Sequence, residues 1–256
     1  MNKTNELFLE FVEIVRKLRK ECPWDREQTH KSIRHNLIEE AYETVEAIDK
    51  DDFEELKKEL GDLLLHVVMH SVMAEEENKF TIDEVISGIK DKLIYRHPHV
   101  FGNVKVNGSK EVKHNWEKLK RSESNRDSVI SGIPKSLPAL IKAYRVQEKA
   151  GSVGFDWTNI DDVWKKVEEE ISELKKTLEI GEQSKIEEEL GDLLFAIVNY
   201  SRFLRINPES ALNKAVEKFT HRFQLIEKEL KAQGKDIYSS TLEEMDAIWE
   251  KIKKEK

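Results

Sequence analysis

The sequence predicts an all-α fold made of two tandem helical-bundle domains, each built around an antiparallel helical hairpin. Three observations carry that expectation. Helical periodicity runs along nearly the whole chain. Gly and Pro number only 10 and 5 in 256 residues, against 37% charged residues, a composition that suits helices. One acidic pattern also occurs twice with the same internal spacing. Glu39-Glu40-Ala41-Tyr42-Glu43 is followed by Glu59-Leu60-Gly61-Asp62, and 130 positions on Glu169-Glu170-Ile171-Ser172-Glu173 is followed by Glu189-Leu190-Gly191-Asp192. A repeat of that length implies two domains, each large enough to bury its own core.

Taken in order, the first helix is expected near 5–20, in an amphipathic N-terminus that carries acids and has no apolar signal core. The second, near 31–49, holds the EExxE segment, and the third, near 52–78, holds ExxD. Residues three apart share a helix face, so Glu40/Glu43 and Glu59/Asp62 are two such pairs, placed symmetrically about Asp51. Asp51-Asp52 is a turn that can cap a new helix. Folded there, the segment becomes a hairpin whose four carboxylates converge at one level. The second copy is symmetric about Gly181, a residue suited to ending a helix, and brings Glu170, Glu173, Glu189 and Asp192 together in the same way. Further helices are expected near 81–95 and 110–121, and, in the second series, near 138–150, 161–180, 184–206, 209–232 and 241–254. Ser122 to Pro138 is polar and contains Gly and Pro, which places a linker at 123–137 between domains at 1–122 and 138–256. His99 to Val106 alone resembles a strand, and it is too short to found a sheet.

Four acids at these spacings are what a hard divalent cation needs. They run straight into Leu63-Leu64-Leu65 and Leu193-Leu194-Phe195, and four anions bordering an apolar zone repel unless a cation neutralises them. Leu63–Met69 and Leu193–Val198 are apolar on nearly every side, which calls for a second packing surface and suggests a homodimer. Two i, i+4 pairs also recur: Lys92/Arg96 with Lys218/Arg222, and Trp116/Lys120 with Trp249/Lys253. Basic residues near a dication site suit a polyphosphate. His66 has Ala196 as its counterpart, so it reads as a packed histidine.

Several classes are excluded or disfavoured. A net charge of −8 argues against a general nucleic-acid surface. One cysteine, Cys22, rules out a disulfide framework. No apolar run is long enough to span a membrane, and a cytoplasmic location is expected. There is no Walker loop and no Gly-rich dinucleotide turn. Glu188-Glu189-Leu190-Gly191 imitates the tail of a Nudix box, but Ser184-Lys185 stands where that motif needs Arg-Glu.

EExxE followed by ExxD on paired helices resembles the all-α nucleoside triphosphate pyrophosphatases, and the tandem duplication is most similar to the long form of the MazG family. Supporting segments are Cys22-Pro23-Trp24-Asp25, Arg96-His97-Pro98-His99-Val100-Phe101, Leu137-Pro138-Ala139-Leu140 and Gly154-Phe155-Asp156-Trp157. The resemblance implies Mg²⁺-dependent hydrolysis of NTPs or dNTPs to a monophosphate and pyrophosphate, with Mn²⁺ able to substitute, in nucleotide-pool control. It implies that Glu40, Glu43, Glu59 and Asp62, and Glu170, Glu173, Glu189 and Asp192, are metal ligands. Glu39 and Glu169 would orient or deprotonate the attacking water. Lys218, Arg222, Trp249 and Lys253, with Lys92, Arg96, Trp116 and Lys120 in the first copy, would hold triphosphate and nucleotide. Two alternatives stay open: a non-catalytic helical protein that senses nucleotides or metal, and a narrower dUTP- or dCTP-type pyrophosphatase.

Overall fold

The computed structural model describes residues 3–108, 111–112, 115–116, 119 and 128–254. Among them there is no strand. The chain divides into two compact units, Met1–Val112 and Lys113–Lys256. The helix expected near 110–121 lies mostly outside the described residues, as do positions 123–127 of the linker.

In the first unit, α1 (Lys3–Glu21), α2 (Pro23–Glu27), α3 (Arg34–Asp49), α4 (Phe53–Glu76), α5 (Ile82–Arg96) and α6 (Pro98–Phe101) follow one another. The α3–α4 hairpin turns where the symmetry of the acids requires. Asp51 takes a left-handed φ of 54°. Asp52 caps α4, its side chain accepting from the backbone N–H groups of Glu54 and Glu55. Thr81 and Glu84 form a capping box that starts α5. The segment that resembled a strand, His99 to Val106, instead begins in a helical turn, Pro98–Phe101, with Pro98 at its first position, where a missing N–H costs nothing, and is irregular from Gly102 on.

The core of this unit is the seam between α1 and α4. Val12 and Val15 of α1 are buried with Ile33, Val68, Met69, Val72, Met73 and Ile82. Two ion pairs clamp the same seam: Arg16 to Glu75 at 3.0 Å and Arg19 to Glu76 at 2.6 Å.

The second unit contains α7 (Ala139–Gly151), α8 (Ile160–Ile180), α9 (Gln183–Phe203), α10 (Pro208–Ala232), a 3-10 turn (Ile237–Ser239) and α11 (Leu242–Lys254). Asn159 caps α8 by accepting from the N–H of Asp162. Gly181 ends α8 in the left-handed region at φ 77°, which only glycine adopts without strain. Asn207 caps α10 and Pro208 follows at its first turn. The α8–α9 hairpin packs on α7, and α10 packs on α11 through Ile226, Leu230 and Ile248. Ahead of α7, the buried Lys149 ammonium donates to the carbonyls of Val129 and Ser131 at 3.2 and 2.8 Å.

Candidate functional site: two acidic hairpins

The hairpins bring three acids of each expected quartet into one group. Glu40, Glu43 and Glu59 each offer a carboxylate oxygen, all within 4.8 Å of one another, and so do Glu170, Glu173 and Glu189. Asp62 and Asp192 flank these groups. Asp62 is close enough for its charge to raise the pKa of Glu40, and Asp192 does the same to Glu189.

The electrostatics are those of an uncompensated anion cluster. Burial, then the charge of Glu43 and a hydrogen bond that the protonated Glu59 donates to the Glu55 carboxylate, push Glu59 up to about 7. Its Oε2 is buried with no hydrogen-bond partner. Burial and the charges of Asp62 and Glu43 also raise Glu40, and burial with Glu173 and Glu170 raises Glu189. A divalent cation fits both groups on donor type, because carboxylate oxygens are the ligands that Mg²⁺ and Mn²⁺ take. It would also give the orphaned Glu59 oxygen a partner.

The second group differs in one respect. Lys166, one turn before Glu170 on α8, reaches Glu170 at 2.7 Å and Glu169 at 2.8 Å. These two carboxylates hold its ammonium above the usual lysine range. Glu169 is therefore engaged by a cation, whereas Glu39, at the matching place on α3, is exposed. The residue matching Lys166 in the first copy is Asn36.

Beside the second group opens a cavity of about 410 Å³ whose wall includes Glu170, Asp192 and Lys166. Its remaining lining comes from Val163 of α8, from α7, from the loop after α7 and from α9. Phe155 and Trp157 stand in that loop. The loop is fastened by Asp156, whose carboxylate takes hydrogen bonds from Arg202 at 2.5 and 2.8 Å. Gly151 makes the close approach possible, since a Cβ there would lie 2.6 Å from Asp156 Oδ2. Gln147 and Asn199 are, with Glu170, the buried polar side chains of the wall.

The first unit leaves a different face open. A cleft there is lined by His30, Arg34, Leu37, His66, His70 and Phe80. His66 is packed among histidines, 6.1 Å from the His70 ring, and His30 and His70 stack with their Nδ1 atoms 2.8 Å apart. In the second copy Trp164 and Tyr200 replace Arg34 and His70, and their rings meet 5.0 Å apart.

The expected phosphate- and nucleotide-binding residues are gathered elsewhere. Lys218 and Arg222 lie on α10, Trp249 and Lys253 on α11. The Arg222 guanidinium sits 5.4 Å over the Trp249 ring, Phe219 meets the same ring at 5.4 Å, and Lys253 pairs with Glu250 at 2.8 Å. None of the four lines the cavity beside Glu170. Lys92 and Arg96 lie on α5, with Lys92 exposed, and Trp116 is half-buried. Lys120 lies outside the described residues. Sequence reasoning missed Lys166, Gln147, Asn199 and Arg202. Each is polar where the first copy differs, and overlaying the copies at the 130-residue offset would have singled out Lys166, Asn199 and Arg202.

Comparison with known proteins agrees with this layout. The MazG nucleotide pyrophosphohydrolase domain matches residues 28–101 and 159–225, which hold the two acidic groups. The chain is 46% identical to the nucleoside triphosphate pyrophosphohydrolase/pyrophosphatase MazG of Thermotoga maritima, over 99% of this chain and 98% of that one. It is 42% identical to the nucleoside triphosphate pyrophosphohydrolase of Escherichia coli K12, over 100% and 98%. It is also 45% identical to Bacillus subtilis YabN over 96% of this chain and 51% of that longer one.

Proposed function

Because the chain belongs to the MazG nucleotide pyrophosphohydrolase family, we propose that it hydrolyses nucleoside triphosphates to the monophosphate and pyrophosphate with a bound divalent cation, chiefly in its second repeat. It is an enzyme of the nucleoside triphosphate pyrophosphohydrolase class. The observation that carries the choice of repeat is the mainly apolar cavity beside Glu170 and Asp192, which suits a nucleoside, whereas the space of the same volume beside Glu43 and Glu59 is walled mostly by further acids, Glu46, Asp52 and Glu55.

Glu170, Glu173, Glu189 and Asp192 would hold Mg²⁺ or Mn²⁺. When bound, the metal neutralises phosphate charge and polarises the phosphorus centre. The protein's own groups supply the rest. The acids, fixed on two rigid helices, set the position of the phosphates relative to the water. Lys166 lies in the cavity wall against Glu170 and Glu169, where its ammonium can meet the phosphate oxygens as their charge grows. That movement frees Glu169 to orient the water or take its proton. Phe155 and Trp157 line the cavity from its exposed side.

A homodimer is part of this reading. Leu60, Leu64 and Val67 on α4 are exposed, and the matching Leu190, Leu194 and Ile197 on α9 are exposed as well. Three apolar residues at i, i+4, i+7 form a stripe that favours a helical partner. Among the described residues no helix is long and apolar enough to cross a membrane, and a cytoplasmic role in nucleotide-pool control suits the proposed substrates.

The test is chromatography of products from ATP, dTTP and dCTP with Mg²⁺, with Mn²⁺, and with excess EDTA after metal removal. Monophosphate and pyrophosphate are expected, and only with metal. Mainly diphosphate, or full turnover in EDTA, would sink the proposal. Sedimentation at micromolar concentration should give twice the 30.0 kDa chain mass.

A further inference from the structure

Independently of how the second repeat works, we infer that the cleft of the first repeat at the start of α3 binds a small organic anion. Its charged head would meet Arg34, His30 and His70, and its apolar body would lie against Leu37, Val67 and Phe80.

The lining carries the charge argument. No residue of this cleft is acidic, although Asp and Glu make up 51 of the chain's 256 residues. Arg34 is exposed and enters no ion pair among the described residues. An exposed arginine alone is ordinary surface charge. Here it shares a cleft with two histidines whose outer nitrogens are free. The Nδ1 atoms of His30 and His70 face each other at 2.8 Å, so one ring donates there and the other accepts. Their Nε2 atoms make no hydrogen bond among the described residues, and neither is sealed from water. The ring that accepts at Nδ1 carries its hydrogen on Nε2 and so offers a donor. The other ring offers one once it is protonated. The pair can therefore hold one positive charge and turn two donors to a ligand without losing its internal bond. His66 keeps its Nδ1 sealed and partnerless and lends the head no donor from that atom. α3 begins at Arg34 with no side-chain cap and no acid in its first turn, so the positive end of the helix favours the same charge.

The rest of the cleft suits an apolar body. Leu37, Val67 and Phe80 are each more than a third exposed, and the volume of about 520 Å³ falls in the range of small-molecule sites. The second repeat provides an internal control. Ile160, Trp164, Ala196 and Tyr200 stand there in place of His30, Arg34, His66 and His70, and Trp164 meets Tyr200 at 5.0 Å. A hairpin of this kind closes without any of the four, so they are not needed to hold it together. Protonation of the pair is set within the cleft. Burial and the charges of His30 and His66 lower His70, and Glu40 acts on His66. Arg16 and Arg19 of α1, the helix packed on α4, are paired with Glu75 and Glu76.

The experiment measures equilibrium binding by calorimetry to the full chain, freed of metal on a chelating resin so that the acidic groups hold no cation to attract an anion. Val67 also belongs to the stripe proposed for the dimer, so the chain is used as it assembles. Wild type should bind phenyl phosphate about 10-fold more tightly than inorganic phosphate, the scale of burying about 60 Å² of apolar surface. Arg34→Met should weaken phenyl phosphate about 10-fold or more, the scale of one charge-assisted hydrogen bond, with an unchanged melting temperature because the side chain is exposed. Lys218→Met should bind as wild type does. Benzenesulfonate keeps one charge between pH 6 and pH 8, and its binding should tighten about 5-fold at the lower pH, the effect of one unit charge at about 4 Å in water. His70→Gln should remove most of that response. Absence of saturable phenyl phosphate binding, or binding unchanged in Arg34→Met, overturns the site. Binding lost in Lys218→Met places the anion on α10 and overturns it as well. A benzenesulfonate affinity that ignores pH in wild type overturns the part given to the histidine pair.

Discussion

Position for position, Ile33, Leu65, Met69 and Val72 of the first repeat stand where the second has Val163, Phe195, Asn199 and Arg202. In the first, α1 lays Val12 and Val15 onto these residues and closes the seam. In the second, α7 meets the matching face with Gln147 and Ala150, and a cavity remains. The acids at the hairpin turns are the same in both. A group of acids able to take a cation is therefore written by a few carboxylates on two helices, whereas the apolar cavity is decided by what packs on the far side of the second helix.

The largest effect that could break this comparison comes from removing one acid at a time. Glu170→Gln should lower pyrophosphate release by about 10²-fold or more, the usual scale when preorganised charges carry a rate. Glu40→Gln should leave most of it. If Glu40→Gln proves to be the silencing change, the roles of the two repeats are reversed.

Gly151→Ala tests the wall itself. Its Cβ would press on Asp156 Oδ2 and Arg202 Nη1 and loosen a pair that fixes the Phe155 loop and orients Asn199. The expected result is a KM for the triphosphate raised about 10-fold, the scale of one charge-assisted hydrogen bond, with kcat little changed. Steady-state kinetics at several substrate concentrations separates the two constants.

A smaller effect sets the first hairpin apart through pH. Glu59 titrates at about 7 in the folded chain against an ordinary 4.5. Between those values the folded state holds a proton that the unfolded chain has released. Its contribution to stability is therefore full below about 4.5 and is lost as pH rises through 7. Metal-free protein should melt at a lower temperature at pH 8 than at pH 5, and Glu59→Gln should flatten that dependence. Calorimetry at the two values decides it, and a slope that survives in Glu59→Gln would assign the effect to other groups.

The smallest expected difference lies in metal affinity. Lys166 already partly neutralises Glu170, and Asn36 offers the first site no such charge. A half-exposed ion pair of this kind is worth up to about 1 kcal/mol. Lys166→Met should therefore tighten Mn²⁺ binding at the second site by no more than about 5-fold. Titration followed by electron paramagnetic resonance would show it, and weaker binding would mean that Lys166 helps to build the site.

Much of this architecture can be read from residue order. The helices, the hairpin turns at Asp51 and Gly181 and the grouping of Glu40, Glu43 and Glu59 follow from periodicity and from symmetric spacing, both local properties. The short helices at Pro23–Glu27 and Pro98–Phe101 escaped because a single turn has too little periodicity to detect. The cavity escaped for another reason. Gln147, Asp156 and Arg202 come from three segments, and only the packing of α7 on α9 brings them together. Nothing in the local pattern around Asn199 separates a buried amide that faces a cavity from one that pairs within a core.

Lys166 also bears on how the chain is made. The first repeat leaves the ribosome ahead of the second, and where the second has Lys166 its acidic hairpin has Asn36, so closing it leans more on shared protons or an incoming cation. The later hairpin is synthesised with its own counter-ion, one helical turn from Glu170. It can close without a metal, and a cation that bound there would take over from the lysine in a framework already folded. On the proposed function, metal loading would then be a finishing step at the second repeat and part of folding at the first.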